Sequence, residues 1–151
     1  MLTQSQQKEL YESDYHLWVI ETVEKLQNRE FEAVDWEDLI EEILDLSRRE
    51  KRKLQNLLKR LFEHLLKLKY WENETERNRR HWQGEIANFR QQIKYQLEDS
   101  PSLKPYLKEI FDQSYQDGRV IASAKSGLPL AAFPEQPIAP LEKILDENWL
   151  P

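Results

Sequence analysis

Apolar side chains recur at steps of three and four along most of this chain, which is the spacing that places them on one face of an α-helix. No run that alternates apolar and polar residues is longer than a few positions, so β-strands have little support. The first apolar stripe predicts a helix from about Glu12 to Asn28, with Asp14 either capping its start or lying just inside it. This stripe consists of Tyr11, Tyr15, Trp18, Thr22 and Leu26.

A second helix is predicted to begin at Asp35, which carries the clearest start signal in the sequence. Its carboxylate can accept a hydrogen bond from the backbone amide of Glu37 or Asp38, while Val34 and Leu39 occupy the two positions of a hydrophobic staple. The acidic side chains of the first turn also complement the positive end of the helix dipole. We therefore expect a well-defined helix start at this point.

The apolar seam of this second helix continues without a glycine or proline until well past Tyr70. It is interrupted only between Ser47 and Lys53, where the sequence is almost wholly polar. Segment 35–71 is therefore either one helix with a solvent-exposed middle or two helices joined by a bend. The seam consists of Leu39, Ile43, Leu46, Leu54, Leu58, Leu61, Leu65 and Leu68.

Further helices complete the predicted fold. A third follows a polar hinge at about Glu72 to Thr75, and a fourth runs from about Ser102 to Lys125, after the break that Ser100-Pro101 indicates. Gly127 is placed to stop the fourth helix, and a short helix is expected from Leu141 to Asn148 after an extended, proline-rich segment. The sequence therefore predicts an all-α bundle of four to five helices with a proline-rich C-terminal extension and a short terminal helix.

Large apolar side chains on the third and fourth helices are the predicted core. On the third helix they are Trp82, Ile86, Phe89, Ile93 and Leu97, and the inward positions of the fourth are Leu107, Ile110, Phe111, Ser114 and Ile121. Gly118 is expected to allow close approach of a neighbouring helix. All five tryptophans are expected to fill gaps between helices, and they are Trp18, Trp36, Trp71, Trp82 and Trp149.

Length and composition narrow the class of protein. A chain of 151 residues is near the usual size of one domain, so residues 1–151 are predicted to form a single helical domain. It contains no cysteine, which excludes disulfides, thiolate zinc sites, iron–sulfur clusters and cysteine nucleophiles. The N-terminus has no apolar signal core, and no apolar run approaches the roughly 20 residues that a membrane crossing needs. We therefore expect a cytoplasmic protein with no membrane partner.

The net charge of −6 conceals an uneven distribution along the sequence. Residues 1–47 hold 13 acidic and 3 basic side chains, residues 48–94 hold 6 and 14, and residues 95–151 hold 9 and 5. A chain polarised in this way either pairs its charges internally or presents opposite charges to partners. Internal pairing is the favoured interpretation, because a compact domain folds its acidic first third against its basic middle.

Five short signatures occur in order along the chain. They are Asp14-Tyr15-x-x-Trp18, Asp35-x-x-x-Leu39-Ile40-Glu41-Glu42-Ile43, His64-Leu65-Leu66-Lys67, Ser100-Pro101-Ser102-Leu103 and Trp149-x-Pro151. As a set they resemble the bacterial domain of unknown function family number twenty-nine, which is abundant in cyanobacteria and has no assigned activity. The resemblance covers nearly the whole chain and implies a helical fold and a location in the bacterial cytoplasm.

Metal sites in helical bundles use inward carboxylates and imidazoles. The weak candidate metal ligands in this sequence are Glu41, Glu42, Asp45 and His64. Bundle di-metal proteins place Glu-x-x-His on each of two helices, and this chain has no such pair. We therefore favour His64 as a core-edge histidine that donates to a buried carboxylate. One of Glu41 and Glu42 is expected to face inward and pair with a base such as Arg48 or Arg90. No catalytic residue, metal or cofactor is predicted.

Basic side chains in the middle of the chain are the candidates for contacts with a phosphate backbone. They are Arg48, Arg49, Arg52, Lys53, Arg60, Arg77 and Arg80. Against this interpretation stand the acidic total and the absence of a nucleic-acid-binding module. Some bases also have acidic partners one helical turn away, and the predicted pairs are Asp45 with Arg49, Glu63 with Lys67, and Glu76 with Arg80.

The sequence leaves three functions open. The favoured one is a small non-catalytic helical protein that acts through contacts with a protein partner, since the motifs of common hydrolases, nucleotide-binding loops and zinc proteases are absent. The first alternative is a nucleic-acid-binding or antitoxin-like regulatory protein that uses the basic segment 48–80. The second is a metal-dependent or histidine-dependent nuclease or hydrolase.

Overall fold

The computed structural model describes residues 2–151, and these residues form helices, turns and irregular segments with no strand. The α-helices in chain order are α1 (Gln4–Ser13), α2 (Tyr15–Gln27), α3 (Trp36–Tyr70), α4 (Glu72–Asp99), α5 (Lys104–Ser126) and α6 (Leu141–Ile144). Single turns of 3-10 helix lie at Phe31–Ala33, Pro101–Leu103 and Leu130–Ala132. The all-α fold predicted from the sequence is confirmed.

The chain divides into two compact units, Met1–Arg49 and Glu50–Pro151. Helix α3 contributes its N-terminal part to the first unit and the remainder to the second. The expectation that residues 1–151 form a single domain stays a prediction.

The first unit begins with two helices where the sequence predicted one, and Asp14 explains the difference. Its backbone lies at φ −149° and ψ 82°, outside the helical region, so α1 ends before it. Its carboxylate accepts a hydrogen bond from the amide of Leu17 at 3.1 Å and thereby caps α2. The expected cap at Asp14 is confirmed, and the helix starts at Tyr15 rather than at about Glu12. Helix α1 has its own start signal, a capping box formed by Thr3 and Gln6.

Helix α3 starts at the residue that the sequence indicated. The amide of Asp38 donates to the carboxylate of Asp35 at 3.4 Å, and Val34 is fully buried, as a hydrophobic staple requires. The helix then continues unbroken from Trp36 to Tyr70, so segment 35–71 is one helix. The polar stretch between Ser47 and Lys53 is its solvent-exposed middle.

The largest apolar core belongs to the second unit. Trp82, Ile86, Phe89 and Ile93 of α4 are buried as predicted, and each such side chain stabilises the fold by about 1.5–3 kcal/mol through removal from water. The C-terminal part of α3 is buried on more than one side. Its buried apolar residues are Leu54, Leu57, Leu58, Leu61, Phe62, Leu65, Leu66 and Leu68.

Gly118 lies where α5 passes very close to α3, as its position in the sequence indicated. A Cβ built on this glycine would lie 2.8 Å from the carbonyl oxygen of Lys59 and 2.8 Å from the Cβ of Phe62. Only glycine fits there without displacement of its neighbours. The ring of Phe62 then packs edge to face against Tyr115 of α5, with centroids 5.1 Å apart.

Side chains of α5 bind the backbone of the proline-rich segment that follows it. Gly127 ends α5 in the left-handed conformation, with φ 74°, as predicted. The hydroxyl of Tyr115 donates to the carbonyl oxygen of Pro134 at 2.6 Å, and Nε of Arg119 donates to that of Phe133 at 3.2 Å. These bonds fix a segment that has little secondary structure of its own.

The terminal helix α6 is shorter than predicted, since it ends at Ile144 rather than Asn148. The backbone amide of Asn148 donates to the side chain of Asp146 at 2.9 Å, which is an alternative to continuing the helix. Ile144 is buried, and Leu145 and Trp149 pack half-buried against the core of the second unit.

Candidate functional site

The first unit exposes more large apolar side chains to solvent than the second, although it is half the length. The exposed ones in the first unit are Tyr15, Leu17, Ile20, Val23, Phe31, Trp36, Ile40, Ile43, Leu44 and Leu46. In the second unit they are Tyr95, Val120, Leu130 and Leu150. Scattered exposed leucines are ordinary, but this concentration makes the first unit the candidate site for contacts with another molecule.

Helix α2 carries part of this surface on the side opposite its buried face. Its buried residues are Trp18, Thr22 and Lys25, whereas its exposed apolar residues are Leu17, Ile20 and Val23. At about 100° per residue, the second set points roughly 140–260° around the helix from Trp18. Helix α2 is therefore apolar on its solvent side as well as at the buried Trp18. This pattern is typical of helices that are covered on both sides.

The N-terminal part of α3 repeats this arrangement. Trp36, Ile40, Ile43 and Leu44 form an exposed apolar stripe, while Glu42 lies on the opposite side and is only 8 % exposed. The sequence placed Ile43 and Leu46 in the buried seam, which is wrong, because both are more than half exposed, Ile43 at 58 %. The burial of Trp36 predicted with the other tryptophans is also wrong, since its side of the helix faces solvent.

The carboxylate of Glu42 is the centre of a hydrogen-bonded cluster in the first unit. It accepts bonds from the hydroxyl of Tyr11 at 2.8 Å, the hydroxyl of Tyr15 at 2.5 Å and Nη2 of Arg49 at 2.7 Å. The bond from Tyr15, with those from Tyr11 and Arg49, lowers the pKa of Glu42 despite its burial. One glutamate of the Glu41-Glu42 pair thus faces inward as expected, but its base is Arg49.

Aromatic rings close over this cluster. The ring of Trp18 is buried and packs edge to face on Tyr11, with centroids 4.7 Å apart, and stacks on Tyr15 at 5.9 Å. The hydrogen bond to Glu42 is also the largest cause that raises the pKa of Tyr11 to about 12. Both tyrosines therefore stay neutral donors. Sequence reasoning did not find this arrangement, although Tyr15, Trp18 and Glu42 all occur in its signatures.

Two carboxylates share the start of α3. Asp35 is buried, its amide donates to the side chain of Gln7 at 3.1 Å, and its Oδ1 lies 3.5 Å from Nζ of Lys8. A hydrogen bond between the side chains of Asp38 and Asp35, together with burial, raises the pKa of Asp38 to about 6. A negative charge on both groups is disfavoured, as expected for neighbouring carboxylates.

Exposed acidic side chains accompany the apolar stripes of α2 and α3. Residues 1–49 contain 13 acidic and 5 basic side chains, and Glu24, Glu37 and Glu41 are exposed among or beside the apolar positions. Two of the bases are already committed, because Arg48 pairs with Glu41 at 2.6 Å and Arg49 pairs with Glu42. The exposed surface of this unit therefore combines apolar and acidic side chains.

His64 lies in the second unit and is buried within its core. Its Nδ1 is 2.7 Å from the carbonyl oxygen of Arg60, and because a carbonyl can only accept, Nδ1 carries the proton. The expected donation to a buried carboxylate is therefore replaced by donation to the backbone, since Oε2 of Glu63 lies 3.9 Å away. Burial lowers the pKa of His64, and its ring packs edge to face on Phe89.

The candidate metal ligands are divided between the units, with Glu41, Glu42 and Asp45 in the first and His64 in the second. Within residues 2–151, no group of three or more histidine or acidic side chains is arranged to hold a metal ion. Glu63, next to His64, instead accepts from Nζ of Lys67 at 3.1 Å and Nζ of Lys125 at 2.8 Å. The pairing of Glu63 with Lys67 was predicted from the sequence.

The seven basic candidates for phosphate contacts are all exposed. Arg48 and Arg49 belong to the first unit and form ion pairs with carboxylates. Asp45 was predicted to pair with Arg49, but it pairs with Arg48. In the second unit, Arg60 lies over the ring of Phe89 at 5.0 Å. Arg77 lies 3.9 Å from Glu74, whereas Arg52, Lys53 and Arg80 make no ion pair within the described part of the chain. The predicted pairing of Glu76 with Arg80 is thus absent there.

Comparison with known proteins yields a family. The model of the domain of unknown function DUF29 matches residues 10–150, which confirms the resemblance carried by the five signatures. No curated protein and no solved structure matches the chain. Across residues 2–151, none of the helices combines the length and the apolar character that crossing a bilayer demands.

Proposed function

We propose that this protein, which belongs to the DUF29 family, is a non-catalytic binding module whose first unit receives an apolar, positively charged helix of a partner protein. The observation that carries this proposal is the solvent-facing apolar stripe of α3, opposite the buried side of that helix, and α2 carries a second stripe of the same kind. When another apolar surface covers exposed apolar side chains, they are removed from water and the free energy of the system decreases.

The charge of the first unit selects the partner. With 13 acidic and 5 basic side chains in residues 1–49, the apolar stripes lie in a negative field. Lysine and arginine flanking an apolar helix would be attracted by that field, which speeds association and favours the correct partner. An amphipathic helix laid on an apolar surface is also a common mode of peptide recognition.

The same charge argues against a second copy of this chain as the occupant. Two surfaces that are each strongly acidic repel one another, and like charges brought together in an interface weaken the free energy of binding by several kcal/mol. An anionic membrane surface is disfavoured for the same reason. The proposal therefore commits to a basic protein partner rather than self-association.

The pairing of Arg48 with Glu41 and of Arg49 with Glu42 weighs against the nucleic-acid alternative. These bases would have to leave carboxylates before they could contact phosphates. The exposed bases Arg52, Lys53 and Arg80 are the part of the basic segment that supports that alternative.

The test uses a fluorescent helical peptide of about 18 leucines and lysines, long enough to form a helix on binding. We expect the full-length protein to bind it, as measured by anisotropy, and Ile20→Glu with Ile43→Glu to weaken binding at least tenfold, a loss of about 1.4 kcal/mol or more. Val120→Glu is the matched control, since Val120 is 56 % exposed on α5 of the second unit and Ile43 is 58 % exposed. This control should bind as the wild type does.

Two further arms decide the chemistry of the occupant. A peptide in which serine replaces every leucine should bind weakly, and added salt should weaken the parent peptide by screening. Equal binding of the serine peptide, or equal loss in Val120→Glu, would contradict a specific apolar surface. A wild-type dimer in sedimentation that Ile20→Glu with Ile43→Glu converts to monomer would assign the surface to a second copy and overturn the proposal.

A further inference from the structure

A cavity of about 350 Å³ lies in the second unit, beside the C-terminal half of α4. Its apolar wall is formed by Ile93, Leu97 and Leu145, and its charged wall includes Arg90, Lys94 and Lys104. Cavities that bind small molecules begin at about this size and combine an apolar lining with a few convergent polar groups. This feature is independent of the apolar stripes of the first unit.

Arg90 is the group in this cavity that the fold does not explain. It is only 4 % exposed, and its Nε donates to the carbonyl oxygen of Ile144 at 2.8 Å. Its Nη2 is buried and makes no hydrogen bond, and no carboxylate within residues 2–151 forms an ion pair with it. Burial lowers the pKa of Arg90, an effect that the more distant charges of Asp146 and Glu147 offset in part.

A buried guanidinium without a carboxylate is rare, because removal of the charge from water is costly unless a partner compensates it. Arginine also presents its donors in a planar fork that matches a carboxylate. Arg90 lines the cavity and has no carboxylate partner, so a carboxylate is the chemical group that would compensate its charge.

The net charge of the side chains that line the cavity indicates how many negative charges a bound ligand would carry. Arg90, Lys94 and Lys104 contribute three positive charges to the lining, and Glu98 and Glu147 contribute two negative charges. The remaining single positive charge suits a monoanion better than a phosphate dianion. The apolar residues beside it suit a hydrocarbon body.

We propose that this cavity binds a small organic monocarboxylate, with its carboxylate at Arg90 and its apolar body against Ile93, Leu97 and Leu145. Lys104 lies at the exposed edge of the cavity and adds attraction for the anion. Such a ligand would supply the missing ion pair of Arg90 and would stabilise the native state by mass action.

The experiment is a titration of the full-length protein with octanoate, followed by calorimetry and by amide chemical shifts. We expect saturable binding with shifts confined to segments 90–104 and 144–147. Octanamide has the same hydrocarbon body without the charge, and it should bind at least tenfold more weakly. Octyl phosphate should also bind more weakly than octanoate.

Variants locate the binding. Arg90→Gln should weaken octanoate at least tenfold, and its circular dichroism will show whether it folds. Lys104→Gln changes an exposed residue, so it can be tested even if Arg90→Gln does not fold. It should weaken octanoate binding about threefold, which is the effect of losing a partly exposed charge pair. Lys108→Gln on the same helix, which does not line the cavity, should have no effect. Equal affinity for octanoate and octanamide, no saturable binding, equal loss in Lys108→Gln, or shifts elsewhere in the chain would overturn the proposal.

Discussion

The two units of this protein keep their structure by different means. In the second unit, 18 buried apolar residues form a continuous core, whereas Trp18 and Val34 are the buried apolar residues of the first. The first unit instead places hydrogen-bonded polar groups in its interior, with Glu42 at the centre of one network and Asp35 at another. Its large apolar side chains are mostly on the outside.

This difference indicates which unit contributes more to the stability of the protein. Apolar burial is the main stabilising contribution in folded proteins, so the second unit carries most of it. A polar interior specifies one arrangement of helices but contributes less free energy. Among residues 2–151, seven buried polar side-chain atoms lack a hydrogen bond, and four of them belong to the first unit, although it has a third of the residues. We expect the first unit to be the less stable one.

The largest expected effect comes from Trp18→Ala, which removes the principal apolar group of the first unit. The loss should be about 3–5 kcal/mol, the usual cost of truncating a buried aromatic residue. Amide hydrogen exchange should show lost protection in α1 and α2, while α4 remains protected. Trp36→Ala is the control, since Trp36 is 43 % exposed; it loses one hydrogen bond, from Nε1 to the carbonyl oxygen of Phe31, and should cost only about 0.5–1.5 kcal/mol. Equal loss of protection in α4 would show that the units unfold together.

The next effect tests close packing in the second unit through a pair of helical glycines. Gly118→Ala should destabilise the protein by about 2–3 kcal/mol, because the new Cβ meets the backbone of Lys59, which cannot turn aside. Gly84→Ala meets nothing within 4 Å and should stabilise the protein by about 0.5–1 kcal/mol, since alanine favours helix. Denaturant titrations of both variants measure the difference. Similar values for the two would contradict the close approach of α3 and α5.

A smaller effect is expected from Glu42→Gln, which keeps the shape of the side chain and removes its charge. Three donors lose a charged acceptor, and the cost should be about 1.5 kcal/mol, at the lower end for hydrogen bonds to charged groups. Glu41→Gln is the matched control on the exposed side, where an ion pair is worth about 0–1 kcal/mol. Exchange of amides in α1 and α2 reports on the first unit. If both variants behave alike, the polar network does not hold that unit together.

The smallest expected effect is a pH dependence from Asp38. Its pKa is raised from 3.8 to about 6 in the folded state, so the folded state binds more protons than the unfolded state between these values. Asp38 therefore contributes a decrease in the free energy of unfolding as pH rises from about 4 to 6. Asp38→Asn should lack this contribution, so the difference in free energy of unfolding between wild type and variant should change with pH over this range. Glu37 is an exposed neighbour whose charge also raises the pKa of Asp38, and Glu37→Gln should keep most of the contribution. A slope that persists in Asp38→Asn would assign the titration elsewhere.

The periodicity of the sequence predicted the second unit well. The buried positions of α4, the stop at Gly127 and the close approach at Gly118 all follow from apolar spacing and from the conformational freedom of glycine. These features are local or follow from a continuous core. The length of α6 was less predictable, because an alternative hydrogen bond at Asp146 competes with one more helical turn.

The same periodicity misled in the first unit. An apolar position at helical spacing was expected to be buried, yet Ile43 is exposed and Glu42 is buried, because Tyr11, Tyr15 and Arg49 satisfy that carboxylate. The pattern of a single sequence cannot distinguish a face that packs within the chain from a face left for a partner. The Arg90 cavity was equally hidden, since its lining comes from segments more than forty residues apart.

Helix α3 has a consequence for how this protein is made. It crosses from residues of the first unit to residues of the second without a break, and the ribosome produces the first unit's part of it earlier. At about 5–20 residues per second, the last residue of the second unit follows Arg49 by roughly 5–20 s. During that interval the residues of the apolar stripes have been synthesised, whereas the residues that complete the buried core of the second unit have not. We therefore expect that chaperones can contact the exposed apolar side chains of the first unit before the larger core forms.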